Sequence, residues 1–240
     1  MVLILSDNEL ILDRFKKLVH SKSLPPALFS YSFSYNNKAM LAKYEGADWI
    51  KPVKINTEVD EIVEKYDLVI SLHGKQIFPP ELIKKVRCIN VHPGLNPYNR
   101  GWYPQVFSII NKLPAGATIH EIDEQLDHGP IIAQKPIKIE CWDTSYTVYY
   151  KVLDAEFHLL DIHLESILNN SYTTVIPHEG NVNLKKDFSQ LCQLDLQQEG
   201  KLGEHIDLLR ALTHGEYANA FFFDREGNKI YVTISLKKSL

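Results

Sequence analysis

Short, continuously apolar runs separated by segments of helical period are the feature that most constrains the fold of this chain. Residues 2–5, 67–72 and 87–91 form three such runs or near-runs. Continuous apolar runs are typical of strands that are buried on both faces of a parallel sheet. Because the runs alternate with predicted helices, we expect an α/β fold with a mainly parallel sheet that is covered on both sides.

The last quarter of the chain has a different pattern. A long predicted helix closes a main domain of residues 1–176, and residues 177–203 are polar and irregular, which favours a connection. A short helix is predicted at residues 204–212. Residues 220–236 indicate a β-hairpin, because aromatic and β-branched runs flank a Gly/Asn turn. We therefore expect residues 177–240 to form a small extension that contains a linker, a helix and a hairpin.

Composition excludes several classes of protein. The formal net charge is −4 and the sequence pI is about 6.2, so the basic excess that is typical of nucleic-acid-binding domains is missing. The first residues carry no basic region, and no apolar run approaches the length of a membrane span, so we expect neither a signal peptide nor contact with a membrane. Three widely spaced cysteines form no disulfide framework, and a cytoplasmic location is expected.

The most informative stretch is Asn-Val-His-Pro-Gly at residues 90–94. Asn90 and His92 are two positions apart at the end of a predicted strand, so their side chains point to the same side. Pro93 cannot extend the hydrogen-bond ladder and Gly94 relaxes the backbone, so the chain is expected to turn there. Open α/β sheets bind ligands at the carboxyl ends of their strands. The sequence therefore predicts an amide and an imidazole that are aimed into one crevice.

A second segment, Asp-His-Gly-Pro at residues 127–130, lies between two predicted strands. Gly and Pro suit a tight turn that would hold Asp127 at a strand end. When an amine attacks a carbonyl carbon, the amide of Asn90 and the imidazolium of His92 are suitable donors for the oxyanion. The carboxylate of Asp127 can take the proton that the amine loses.

Both segments resemble the signature of the 10-formyltetrahydrofolate-dependent formyltransferases. Residues 90–101 are similar to the family pattern of Asn-x-His followed by Leu-Pro and Arg-Gly, and residues 127–134 match its Asp-x-Gly segment. The resemblance covers about residues 1–175. It implies a Rossmann-like formyltransferase domain with Asn90, His92 and Asp127 as the catalytic residues. It also implies 10-formyltetrahydrofolate as the co-substrate and no metal.

One branch of this family is the most similar. Gly94 and Asn96 depart from the purine and tRNA branches, which usually carry Ser and Leu there, whereas residues 72–79, 100–109 and 209–215 resemble nucleotide-sugar N-formyltransferases. That branch implies a dTDP-4-amino-4,6-dideoxyhexose as the acceptor, in the synthesis of the O-antigen of lipopolysaccharide. It also implies a homodimer with the terminal hairpin near the subunit interface.

The resemblance further implies two sets of binding residues. The pterin of the folate is expected to contact two loops. The first contributes the backbone of Gln76, Ile77 and Phe78, and the second, at residues 122–127, contributes Ile122, Asp123 and Leu126. The residues expected near the nucleotide sugar are Lys75 and Lys151, which could meet a diphosphate, and Asn96, Arg100 and Trp102.

Four other interpretations stay open on the sequence alone. Glycinamide ribonucleotide formylation is disfavoured by the C-terminal extension, and methionyl-tRNA formylation by the acidic net charge. A hydrolase would use the same three residues with water as the acceptor and would release formate. A non-catalytic module that binds folate or a nucleotide sugar would have no need for this catalytic set. His73, His120 and His128 add imidazoles to the same regions, but their spacing fits no zinc pattern.

Overall fold

The computed structural model describes residues 1–239, which form a seven-stranded sheet, three two-stranded ribbons and eight α-helices. The strands are β1 Val2–Leu5, β2 Phe29–Ser34, β3 Ile50–Val53, β4 Leu68–Leu72, β5 Arg87–His92, β6 Arg100–Gly101, β7 Ala115–Glu121, β8 Ile131–Ile137, β9 Val182–Asn183, β10 Thr213–His214, β11 Tyr217–Ala218, β12 Ala220–Phe223 and β13 Lys229–Val232. The helices are α1 Glu9–Ser21, α2 Lys38–Lys43, α3 Val59–Lys65, α4 Pro80–Lys85, α5 Pro104–Asn111, α6 Ser145–Leu168, α7 Lys185–Cys192 and α8 Leu202–Leu212.

The large sheet has the strand order β3-β2-β1-β4-β5-β7-β8. The pairs from β3 through β5 are parallel, and β7 runs antiparallel to β5. The order reverses between β1 and β4, as it does at the ligand-binding switch point of Rossmann-like folds. The predicted α/β fold with a mainly parallel sheet is therefore confirmed.

Apolar packing on both faces holds the parallel strands in place. All four residues of β1 are buried, and so are all five residues of β4. On one face, Leu3, Leu5 and Val69 pack with Leu82 of α4 in a continuous core cluster. Helix α1 begins where the side chain of Asn8 accepts a hydrogen bond from the backbone N–H of Ile11.

Helix α6 is the longest element, and Asp143 lies just before its first residue. The carboxylate of Asp143 accepts from Thr147 Oγ1 at 2.9 Å and from the backbone N–H of Glu140 at 2.7 Å. Lys151 Nζ, one turn further along the helix, lies 2.5 Å from the same carboxylate. None of the helices within residues 1–239 combines the length and the apolar character that crossing a bilayer requires.

Several elements were missing from the sequence interpretation. Strand β3 was not predicted because it contains Pro52, which is tolerated here because β3 is the edge strand of the sheet. The expectation of an irregular connection at residues 177–203 is wrong, because it contains β9 and α7. Helix α7 has few apolar residues and none that is buried, and its first turn is held by Asp187, whose carboxylate accepts from the backbone N–H of Leu184 at 2.7 Å.

The chain divides into two compact units that are each discontinuous in sequence. The first comprises residues 1–92, 118–134 and 156–177, and the second comprises residues 93–117, 135–155 and the chain from His178 onward. The predicted hairpin is present in the second unit as β12 and β13, which pair antiparallel with Phe221 opposite Tyr231. The domain boundary after residue 176 stays a prediction.

Two leucines of α1 offer a matched test of this packing. Leu12 is fully buried, whereas Leu10 is 43% exposed on the same helix. Leu12→Ala should lower the free energy of unfolding by about 2–5 kcal/mol, because the deletion leaves a cavity in the core. Leu10→Ala should change it by less than about 0.5 kcal/mol. Urea denaturation followed by circular dichroism measures both, and equal losses would contradict the packing.

Candidate active site

Strand β5 carries two of the predicted catalytic residues near its carboxyl end. Asn90 lies opposite Ser71 of β4 and opposite His120 of β7, and His92 is the last residue of the strand. His92 is 3% exposed. The alternation of side chains along a strand puts Asn90 and His92 on the same side, as the sequence predicts.

Asp127 completes the cluster from the turn that follows β7. Its backbone has a left-handed φ of 47°, a conformation that Asp tolerates better than most residues. Oδ1 of Asp127 accepts a hydrogen bond from Asn90 Nδ2 at 3.0 Å, and Oδ2 lies 3.5 Å from His92 Nδ1. The structure therefore brings the three predicted residues together around one carboxylate, whose side chain is 12% exposed.

His120 is a fourth member of this cluster that sequence reasoning did not assign to the site. It is 2% exposed, and its Nε2 lies 3.4 Å from Asn90 Nδ2 and 3.7 Å from Asp127 Oδ1. Its Nδ1 lies 2.6 Å from the carbonyl oxygen of Glu121, which can only accept, so Nδ1 carries the proton. In the neutral ring, Nε2 is then an acceptor, and it orients the Asn90 amide. Only the register of β5 and β7 reveals this role.

The two loops predicted to bind the pterin are also brought together in the first unit. Phe78 is buried in the core cluster against which Ile122 packs. Ile77, beside it, is 84% exposed, and Leu126 is 42% exposed. Asp123 Oδ2 pairs with His128 Nδ1 at 2.7 Å and so stabilises the turn that leads to Asp127.

The side chain of Gln76 has a structural role, which is separate from the pterin contact predicted for its backbone. Its side-chain oxygen accepts from the backbone N–H of Ile55 at 3.0 Å, and its side-chain nitrogen donates to the carbonyl of Val53 at 3.0 Å. The Gln76 side chain thereby fixes its loop to the end of β3. The contact of the loop backbone with the pterin, which the resemblance implies, stays a prediction.

The residues predicted to meet the nucleotide sugar are distributed over both units. Lys75 belongs to the first unit, where its ammonium is exposed and its backbone N–H donates to Asp7 Oδ2 at 2.8 Å. Lys151 belongs to the second unit. Because its ammonium is bound to Asp143, the structure gives Lys151 a role at the start of α6 that the sequence did not indicate.

The other three predicted sugar contacts lie in the second unit. Asn96 is 2% exposed, and Trp102 lies under the ammonium of Lys185, which is 5.6 Å from its ring centroid. Arg100 is 5% exposed, and its ion pair with Glu179 is long at 3.9 Å. The Nε and Nη1 atoms of Arg100 make no hydrogen bond to any of residues 1–239. Buried guanidinium donors of this kind are suited to an anionic ligand.

A metal site is not apparent in this region. Across residues 1–239, no group of three or more His, Cys, Asp or Glu side chains is arranged to hold a metal ion. The imidazoles of His92 and His120 instead share one carboxylate with an amide, in a cluster of hydrogen-bonding and proton-accepting groups.

Comparison with known proteins decides the family. Residues 33–162 match the Formyl transferase family, and residues 187–238 match the N-formyltransferase dimerization C-terminal domain. The chain belongs to the formyltransferase family. It is 57% identical over 180 residues to the dTDP-4-amino-4,6-dideoxyglucose formyltransferase of Mycobacterium tuberculosis, a match that covers 75% of this formyltransferase and 77% of that protein.

Solved structures agree with this assignment over the whole chain. A 4-N formyltransferase from Francisella tularensis superimposes with a TM-score of 0.93 at 43% identity, covering 99% of this chain and 98% of that one. A sugar N-formyltransferase from Shewanella sp FDAARGOS_354 gives a TM-score of 0.91 at 44% identity, covering 100% and 98%. The family resemblance that the two sequence motifs predicted is confirmed.

Gly129 provides a test of how the Asp127 turn is held. A Cβ atom at Gly129 would lie 1.9 Å from the carbonyl oxygen of Glu121, so Gly129→Ala must move the turn. We expect this variant to lose formyl transfer by at least about 100-fold, because displacing a catalytic group by about 1 Å has that cost. Gly203→Ala, which meets nothing within 4 Å, should keep full activity. Steady-state kinetics on both variants, with thermal melts to confirm folding, make the comparison.

Proposed function

We propose that this formyltransferase moves a formyl group from 10-formyltetrahydrofolate to the amino group of dTDP-4-amino-4,6-dideoxyglucose. Asn90, His92 and Asp127 are the proposed catalytic residues. The observation that carries the proposal is the Asp127 carboxylate, which contacts both the Asn90 amide and the His92 imidazole at the end of β5. A protein that only binds folate or a sugar has no use for a proton acceptor placed between two oxyanion donors.

The proposed chemistry follows from these contacts. The Asn90 amide and the His92 ring, in its imidazolium form, donate hydrogen bonds to the formyl oxygen as it becomes negative during attack by the amine. With Nδ1 held against Asp127, the His92 ring presents Nε2 on its other side. The contact of Asn90 with His120 is long at 3.4 Å, so this donor can be redirected to the oxyanion at low cost.

Asp127 has the role of proton carrier in this proposal. Its carboxylate accepts the proton that the attacking amine loses, directly or through one water. The same carboxyl group can return that proton to N10 of the folate as the carbon–nitrogen bond breaks and tetrahydrofolate leaves. The amine gains the formyl group, and no nucleophilic side chain is needed because the formyl donor is already activated.

The relatives support the identities of the two substrates. The Mycobacterium tuberculosis protein carries the name of the acceptor that we propose, and the Francisella tularensis protein is described as a 4-N formyltransferase. A more distant N-formyltransferase from Helicobacter canadensis, which at 20% identity shows the fold alone, is in complex with folinic acid and dTDP-3-aminofucose. A folate donor and a dTDP-linked amino sugar are consistent with the predicted contacts, including the buried guanidinium of Arg100 for the diphosphate. By the same resemblance, the product would belong to O-antigen synthesis.

The proposal also includes the oligomeric state and the cellular location of the protein. We propose that the protein is a homodimer, because residues 187–238 match a dimerization domain and the hairpin exposes Phe223, Ile230 and Tyr231. Large exposed apolar side chains on one element are typical of an interaction surface. We also propose a cytoplasmic location, since the three cysteines are free thiols, as is usual in a reducing compartment.

The substrate proposal is tested with a panel of acceptors and 10-formyltetrahydrofolate. We expect one formyl mass to be added to dTDP-4-amino-4,6-dideoxyglucose, as measured by mass spectrometry. The galacto epimer, a UDP-linked 4-amino sugar and glycinamide ribonucleotide complete the panel. Formylation of glycinamide ribonucleotide alone would assign the protein to purine synthesis, and release of formate without any formylated amine would make it a hydrolase.

The catalytic roles are tested with isosteric changes. Asp127→Asn should lower kcat by about 10²–10⁴-fold because the proton acceptor is lost. His92→Asn should lower it by at least about 100-fold because an oxyanion donor is displaced. Asp13→Asn and His158→Asn remove the same groups from exposed positions on α1 and α6 and should leave kcat unchanged. A folded Asp127→Asn enzyme with full turnover would refute the mechanism.

The dimer is tested by light scattering after size-exclusion chromatography. The wild-type protein should have twice the chain mass of 27.6 kDa. Tyr231→Glu places a charge on the exposed hairpin and should give monomers, whereas Tyr35→Glu, at a comparably exposed position on the first unit, should stay dimeric. A monomeric wild-type protein at micromolar concentration would remove the dimer from the proposal.

A further inference from the structure

A buried ion pair lies near the proposed active site but takes no part in the proposed chemistry. Glu156 of α6 is 2% exposed, and its two carboxylate oxygens lie 2.8 Å and 3.0 Å from Nε2 of His73. Burial raises the pKa of Glu156, and the neighbouring His73 and Arg14 oppose that shift. Taking a carboxylate out of water costs several kcal/mol unless a partner compensates it. The protein therefore keeps, at residue 156, a carboxyl group whose burial is unfavourable for folding.

The partner of Glu156 has an unusual backbone. His73 follows the last residue of β4 with a left-handed φ of 59°, a conformation that is uncommon outside Gly, although His adopts it more often than most residues do. The next residue is also constrained, because a Cβ at Gly74 would lie 2.9 Å from Leu5 Cδ2 and 3.0 Å from Ser71 Oγ. Backbone strain persists only where the surrounding structure enforces it. The contact of His73 Nε2 with both carboxylate oxygens of Glu156 ties this turn to α6.

The turn at His73 determines the path of the loop that follows. The loop is anchored further on by the hydrogen bond from Lys75 N to Asp7, by the Gln76 side chain and by the buried Phe78. Ile77 stands out from this fixed loop with 84% of its surface exposed. An apolar side chain held outward on a rigid loop is suited to contact with a flat heteroaromatic ring.

The loop is located where this fold binds ligands. In the parallel pair of β4 and β5, Leu72 lies opposite Val91, so His73 and His92 are the next residues along the two strands. The loop also begins at the point between β1 and β4 where the strand order reverses. The ion pair thus controls the loop that leaves the sheet beside the strand end of the proposed catalytic residues.

We propose that the Glu156–His73 ion pair is a positioning device for the formyl donor. It holds residues 74–78 in the path that receives the pterin, and it sets the affinity for the folate without taking part in formyl transfer. Glu156 and His73 are therefore positioning residues that act through the loop. This inference rests on the proposed function for the identity of the donor.

Two substitutions separate the pair from its surroundings. Glu156→Gln keeps the volume and one hydrogen bond but removes the charge. His73→Asn keeps a residue that tolerates the left-handed backbone but removes the imidazole. Glu165→Gln is the matched control, because Glu165 is a carboxylate on the same helix that pairs with Lys22 at 3.6 Å but is 62% exposed.

The test measures binding of folinic acid by isothermal titration calorimetry and kcat and KM for both substrates. We expect each variant of the pair to weaken the Kd for folinic acid and to raise the KM for 10-formyltetrahydrofolate by about tenfold or more, which is about 1.4 kcal/mol. The acceptor KM should be unchanged, and kcat should change by less than about threefold, because the oxyanion donors stay in place. The Glu165→Gln enzyme should behave as wild type.

The double variant Glu156→Gln/His73→Asn makes the test independent of general loss of stability. If the two residues act as one device, the double variant should weaken folinic acid binding no more than the stronger single variant does. An unchanged Kd with a lowered melting temperature would overturn the inference, and so would a rise in the acceptor KM alone. If the wild-type protein itself failed to bind folinic acid, the proposed function would fail first and this inference with it.

Discussion

The pairing of β5 with β4 on one side and with β7 on the other is the constraint on which the candidate site depends. The parallel register with β4 brings the turn at His73 to the same edge of the sheet as His92. The antiparallel register with β7 sets His120 against Asn90. A shift of one residue in either pair would turn these side chains to the opposite face. Because both faces of the sheet are packed, the register is fixed, and the positions of the proposed catalytic groups are fixed with it.

Two carboxylates at this edge meet imidazoles with different consequences. Asp127 is 12% exposed at a turn, and its carboxylate oxygens lie 3.5 Å from His92 Nδ1 and 3.7 Å from His120 Nε2. Glu156 is 2% exposed and makes a short bidentate contact with His73. We propose that this shorter contact holds the turn at His73 in place. The same two functional groups therefore have different proposed roles, which are proton transfer at Asp127 and loop geometry at Glu156.

Local patterns predicted the parts of the site that local structure determines. Asn90 and His92 could be found because strand alternation and the following Pro-Gly turn are encoded by adjacent residues, and Asp127 because its turn is marked by Gly and Pro. His120 and Glu156 could not be found, since their partners are 30 and 83 residues away. Strand β3 and helix α7 were missed for a related reason, because an edge position and a capping carboxylate, rather than apolar periodicity, account for them.

A second buried polar network, centred on Asn99, shows that the segment with Asn181 and Asn183 contributes to the stability of the second unit. Asn99 is fully buried in the second unit, and its side-chain oxygen accepts from Asn111 at 2.9 Å, Asn181 at 2.8 Å and Asn183 at 3.3 Å. Its backbone N–H donates to the side chain of Asn181 at 2.9 Å. Without the segment that carries Asn181 and Asn183, the backbone donor and most of the acceptor capacity of Asn99 would be left without these partners, at about 1–3 kcal/mol for each unsatisfied group. The segment therefore stabilises the loop that follows β5. The backbone N–H groups of Arg100 and Trp102 donate to the carbonyl oxygens of Asn181 and Asn183, so the same residues also fix the backbone at Arg100 and Trp102.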